Sequence, residues 1–115
     1  MKVYGIRNCD TVKKALNWLD GKGISYEFHD FKKLGVEADK LKEWSEKVGW
    51  ERFLNKKGTT WRKLEPETQA SIVSEEEAIK LMQDKTSVIK RPVIEKGDSL
   101  LFGFDEKTFE TELID

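Results

Sequence analysis

A short apolar run, an amphipathic helical repeat and an alternating run follow one another within about the first thirty residues, and this succession limits the possible folds most. Met1-Lys2-Val3-Tyr4-Gly5-Ile6 reads as a strand, and Val12, Ala15, Leu16 and Leu19 recur at i, i+3, i+4 and i+7 as one apolar helix face. Gly21-Lys22-Gly23 supplies a helix stop. Ile24, Tyr26 and Phe28 then alternate with Ser25, Glu27 and His29, the pattern of a half-buried strand. Strand, helix, strand at this spacing is a βαβ unit, whose two strands are expected to be parallel with a right-handed crossover.

The turn of that unit, Arg7-Asn8-Cys9-Asp10-Thr11, holds the single cysteine of the chain. A thiol there lies near unpaired helix N–H groups and the positive end of the helix dipole, both of which favour the thiolate. Only the thiolate is strongly nucleophilic, so Cys9 is a candidate nucleophile. The alternative is a free cysteine serving as a small hydrophobe. Polar neighbours on both sides argue against that burial. Asn8 is a candidate to cap the helix or orient the thiol. Lys13, one turn in, would add positive potential at Cys9; read otherwise, it and Lys14 are solvated helix charges.

The middle of the chain is helical. Leu41, Trp44, Ser45 and Val48 mark a face from about Glu37 to Val48, ended by Gly49, with Glu43 and Lys47 spaced to pair on the solvent side. Trp50 to Leu54 suits a short helix, followed by a polar segment, Asn55 to Lys63. Pro66 fits a first helical turn, and Ser74 and Glu77 have capping-box spacing ahead of Ala78, Ile79, Leu81 and Met82. Toward the end, Val93-Ile94-Glu95 and Leu100-Leu101-Phe102 flank Lys96-Gly97-Asp98-Ser99 as a β-hairpin. Asp105 can cap a last helix with Phe109 and Leu113 inward. The order is βαβ, a helical insertion, then ββα. No repeat, linker or low-complexity tract interrupts residues 1–115, so one domain is expected.

Composition narrows the function classes. Charged residues make up 37% of the chain but nearly balance at net −1, which leaves no basic field for nucleic acid. No apolar stretch approaches the roughly 18 to 20 residues that span a bilayer. A single cysteine excludes an internal disulfide and fits a reducing compartment, and one Cys with one His does not furnish a structural zinc site. The expectation is a soluble, cytoplasmic protein, monomeric and without a tightly bound cofactor.

A βαβ followed by ββα, with a cysteine after the first strand and an X-Pro opening the third, resembles the thioredoxin fold. That resemblance implies a cis-proline at Pro92 lying against the active-site cysteine; a trans proline starting an edge strand is the other reading. Tyr4-Gly5-Ile6, Asn8-Cys9-Asp10-Thr11 and Lys13-Lys14-Ala15 resemble the start of the arsenate reductase (ArsC)/Spx family. Tyr26-Glu27-Phe28-His29-Asp30, Gly58-Thr59-Thr60-Trp61-Arg62-Lys63-Leu64 and Ile89-Lys90-Arg91-Pro92-Val93 extend the likeness over essentially the whole chain. Within the family the chain is most similar to the YffB-like branch. A thioredoxin-like α/β fold with a helical insertion is implied.

The resemblance also suggests chemistry. In the glutathione-dependent arsenate reductases of the family one cysteine attacks the arsenic and several arginines surround the oxyanion. Cys9 matches that nucleophile and Arg91 the arginine before the cis-proline, whereas the other two arginine positions hold the uncharged Asn55 and Gly103. Spx-type members bind RNA polymerase and often carry Cys-x-x-Cys; its second position is Val12 here. A lone thiolate can attack a sulfur or arsenic centre, and its adduct then requires an external thiol, for which glutathione is the candidate co-substrate. Arg91 could offer a bidentate fork to a carboxylate, and Arg62, in a polar loop, is a candidate to reach the cleft or to pair with a nearby acid. The expected function is a glutathione-dependent thiol–disulfide oxidoreductase acting on a thiol, disulfide or oxyanion. The alternatives are an arsenate reductase and an Spx-like interaction protein. His29 and the four tryptophans read as structural.

Overall fold

In the computed structural model, which describes residues 1–114, the chain runs β1 (Lys2–Gly5), α1 (Asp10–Gly21), β2 (Glu27–Asp30), α2 (Phe31–Leu34), α3 (Ala38–Val48), α4 (Trp50–Phe53), α5 (Thr59–Arg62), α6 (Pro66–Ser71), α7 (Glu75–Asp84), β3 (Val93–Lys96), β4 (Ser99–Phe102) and α8 (Glu106–Leu113). Its contacts define two compact units. Residues 1–34 and those from Arg91 onward form the first, and the inserted residues 35–90 form the second.

The first unit is built on a sheet of order β2-β1-β3-β4. β1 pairs parallel with β2 and antiparallel with β3, and β3 forms a hairpin with β4. Val3 lies opposite Phe28 and Ile94, and Ile94 opposite Leu101, so these four share one face. That face packs with Ala15 and Leu19 of α1 and with Phe109 and Leu113 of α8. Edge-to-face contacts of Phe109 with Trp18 at 5.4 Å and Phe104 at 5.0 Å close the cluster. On the opposite face Tyr4 stands beside His29 at 5.0 Å and Phe31 at 6.0 Å, and its hydroxyl donates to Glu95 Oε1 at 2.7 Å.

β2 begins later than the alternation predicts. α1 closes in a Schellman arrangement around Gly23, with the Ile24 N–H donating to the Leu19 carbonyl at 3.0 Å and the Gly23 N–H to the Asp20 carbonyl at 3.1 Å. The Ile24 amide is thereby committed to the helix end, and pairing starts where the Glu27 N–H meets the Met1 carbonyl. Ile24 and Tyr26 still contribute apolar surface to the core.

In the second unit α3 packs against α7 and α4, with Trp44 against Phe53 edge-to-face at 6.0 Å. Leu54 bridges Ile89 in antiparallel fashion, flanked by hydrogen bonds from Asn55 N–H to the Val88 carbonyl and from Lys90 N–H to the Phe53 carbonyl. The segment 55–63, expected to be polar loop, contains α5; its Trp61 is buried and its backbone carbonyl accepts from Gln69 Nε2 at 2.8 Å. Val48, placed inward by the periodicity, is 39% exposed. Glu43 pairs with Lys40 at 3.1 Å rather than with Lys47, since i,i+3 neighbours are as close on a helix as i,i+4 ones. Pro66 opens α6 as expected. The Ser74 hydroxyl donates to the Glu77 carboxylate at 2.7 Å, and its oxygen makes no capping hydrogen bond to the α7 backbone.

Candidate active site

The site lies within the first unit, where β1 hands the chain to α1. Val3 to Ile6 are buried, and the chain emerges at Arg7 and Asn8 before α1 begins. β1 and the first turn of α1 approach closely at Gly5, where an added Cβ would meet Val12 Cγ2 at 3.0 Å. A side chain at position 5 would make Val12 give way by a few tenths of an ångström, so glycine there favours the turn being drawn close over the sheet.

Cys9 occupies the N-cap of α1 with extended backbone, φ −145° and ψ 122°, and its carbonyl accepts the first helical hydrogen bond, from the Lys13 N–H at 2.9 Å. Asn8, the residue expected to cap the helix, is instead one position outside it and exposed. The thiol thus stands where a capping oxygen usually stands, facing the N–H groups of the second and third helical residues, Thr11 and Val12. It makes no capping hydrogen bond of ordinary geometry. Partial burial pushes its pKa up, but the Val12 N–H, the hydrogen bond and charge of the Arg91 guanidinium, and the Thr11 N–H outweigh burial and hold it below the ordinary thiol value.

Arg91 reaches Cys9 because it lies two residues before β3, the neighbour of β1. The Arg91–Pro92 bond is cis, and Pro92 is buried. The Pro92 carbonyl accepts from the Gly103 N–H at 2.9 Å, tying the start of β3 to the end of β4. Gly103 itself has φ +82°, in the region that strains any side-chain-bearing residue. Of the other candidates, Lys13 is exposed on the first turn of α1, and Arg62 is exposed on α5 of the second unit. The backbone donors Thr11 and Val12 carry no side-chain signal; only the helix start foretells them. Among the described residues no group of three or more His, Cys, Asp or Glu is placed to hold a metal ion, and no helix is long and apolar enough to cross a membrane.

A four-stranded mixed sheet with a cysteine at the first helix N-cap and an arginine–cis-proline step before the third strand defines a thioredoxin-like thiol site on an α/β scaffold. The particular family is the ArsC family, which matches residues 4–111, and the chain belongs to it. A Haemophilus influenzae protein of uncharacterized function is 38% identical over 108 residues, 94% of each chain. The solved structure of a protein named YFFB superposes with a TM-score of 0.92 at 42% identity, covering 98% of both chains. An arsenate reductase (ArsC)-related protein from Brucella melitensis is 43% identical with a TM-score of 0.76, covering 97% of this chain and 92% of its own. The fold is therefore that of the arsenate reductase-like thiol oxidoreductases.

Proposed function

We propose that the protein is a glutathione-dependent thiol–disulfide oxidoreductase that uses Cys9 as its one nucleophile. The observation that carries this reading is the Cys9 thiol itself. It is held below its ordinary pKa by Arg91 and two helix amides, in a chain with no second cysteine.

The Cys9 thiolate attacks the glutathione sulfur of a mixed disulfide, R–S–S–glutathione. The new Cys9–glutathione disulfide forms as the S–S bond of the substrate breaks, and the departing thiolate takes a proton from solvent as RSH. A second glutathione, as its thiolate, then attacks the glutathione sulfur of the adduct. Oxidised glutathione leaves and the Cys9 thiolate returns. R–S–S–glutathione and one reduced glutathione thus give RSH and oxidised glutathione, with no net change at the protein. Arg91 stabilises Cys9 as nucleophile in the first step and as leaving group in the second, since the same charge favours the thiolate in both. One chain suffices and no resident cofactor is needed. The reduced glutathione requirement suits a cytoplasmic setting.

Disulfide chemistry is preferred to arsenate reduction because the residues at two oxyanion-arginine positions of the resemblance, Asn55 and Gly103, are uncharged. The test is steady-state reduction of a glutathionylated peptide by glutathione, with oxidised glutathione followed by glutathione reductase and NADPH. Turnover that disappears in Cys9→Ser supports the reading. Turnover with arsenate but not with the peptide would assign the chain to the arsenate reductases instead.

A further inference from the structure

Arg7, two residues before Cys9 and so at most about 7 Å from it between Cα atoms, is exposed. Its guanidinium carbon lies 4.6 Å from the centroid of the Phe28 ring. Phe28 belongs to β2, the outer strand of the sheet beside β1. Phe28 also lies 3.7 Å from where a Gly5 Cβ would be, so the ring borders the turn that carries Cys9. An arginine on an aromatic face is restrained in position while its N–H edge stays available to a ligand. Among the described residues no carboxylate lies within ion-pair distance of Arg7.

The strand order gives this arrangement its meaning. β2 and β3 flank β1 on opposite sides, so Arg91 comes to the Cys9 turn from the β3 side and the Phe28 shelf bears Arg7 on the β2 side. Glutathione carries its thiol near the middle and a carboxylate at each end. A ligand of that shape, with sulfur at Cys9, presents an anionic end toward each side.

We propose that Arg7, braced on Phe28, is a specificity residue that binds a remote carboxylate of the glutathione moiety while Cys9 attacks its sulfur. This deepens the thiol–disulfide reading and rests on it. The bond changes are those already described; Arg7 exchanges no proton and supplies a charge-assisted contact.

The experiment measures the rate of mixed-disulfide formation at Cys9 by stopped flow with three disulfides: oxidised glutathione, neutral hydroxyethyl disulfide and cationic cystamine. The readout is the rate ratio of oxidised glutathione to hydroxyethyl disulfide, which cancels any general change in thiol reactivity. Arg7→Leu should lower that ratio about fivefold, the size of one exposed charged contact, and Arg7→Glu further. Arg7→Lys should recover part of it, and Arg7→Glu should raise the cystamine ratio. Unchanged ratios in variants of a wild type that does react with oxidised glutathione overturn the role of Arg7 alone. A wild type that is alkylated at Cys9 by iodoacetamide yet forms no glutathione adduct overturns this proposal and the glutathione reading together.

Discussion

At Cys9 two opposed influences meet, and the donors win over burial. The site is partly open, so the effect is a matter of direction rather than of a large stored energy. The expected outcome is a thiolate that persists below the ordinary thiol value of about 8.5, read by ultraviolet absorbance against Cys9→Ser. In the unfolded chain the thiol has its ordinary pKa, so between the two values unfolding takes up a proton. Stability should therefore rise with pH across that window and be lost as pH falls through the folded value. Cys9→Ser should remove this slope in urea titrations. Arg91 is the side chain that acts on the thiol directly. Arg91→Ala should raise the thiol pKa and slow adduct formation roughly ten- to hundredfold, the worth of a charge-assisted contact of about 1.5 to 3 kcal/mol, while Arg91→Lys should fall between. Rates equal to wild type in folded variants would remove Arg91 from the chemistry.

The elements that present these residues differ in how plainly the sequence announces them. α1 is legible because four apolar residues keep a 3.6-residue period, and its start places the Thr11 and Val12 amides without any side-chain motif. Arg91 and Pro92 stand out only by resemblance; nothing local distinguishes a cis from a trans X-Pro bond. α2 and α5 have no periodic signature, since each is four residues long and buries one side chain, Phe31 or Trp61. Arg7 carries no local signal, because its setting depends on Phe28, on another strand. At this scale Gly103 is a test of the frame around the cis-proline. Its positive φ means that Gly103→Ala should cost about 1 to 2 kcal/mol, measured by urea denaturation. An unchanged midpoint would show that the strand ends tolerate a different path. Phe109, buried against Val3, Ile94 and the rings of Trp18 and Phe104, holds α8 to the sheet, and Phe109→Ala should cost about 3 to 5 kcal/mol in the same assay.

Across the whole molecule, the alternating halves of the sequence, βαβ and ββα, assemble into one sheet, and the inserted residues 35–90 form a compact unit of their own. In the sequence the insertion reads as a change from strand periodicity to helix periodicity and back, within what is expected to be one domain. The chemistry reduces to a count that the fold does not alter: one cysteine, so any disulfide at Cys9 joins it to a second molecule. Intact mass spectrometry of the native protein after oxidised glutathione, and again after reduced glutathione, tests this most directly. The account predicts one glutathione added per wild-type chain, none in Cys9→Ser, and full return to the starting mass with reduced glutathione. A native wild type that stays unmodified while iodoacetamide alkylates Cys9 would contradict it.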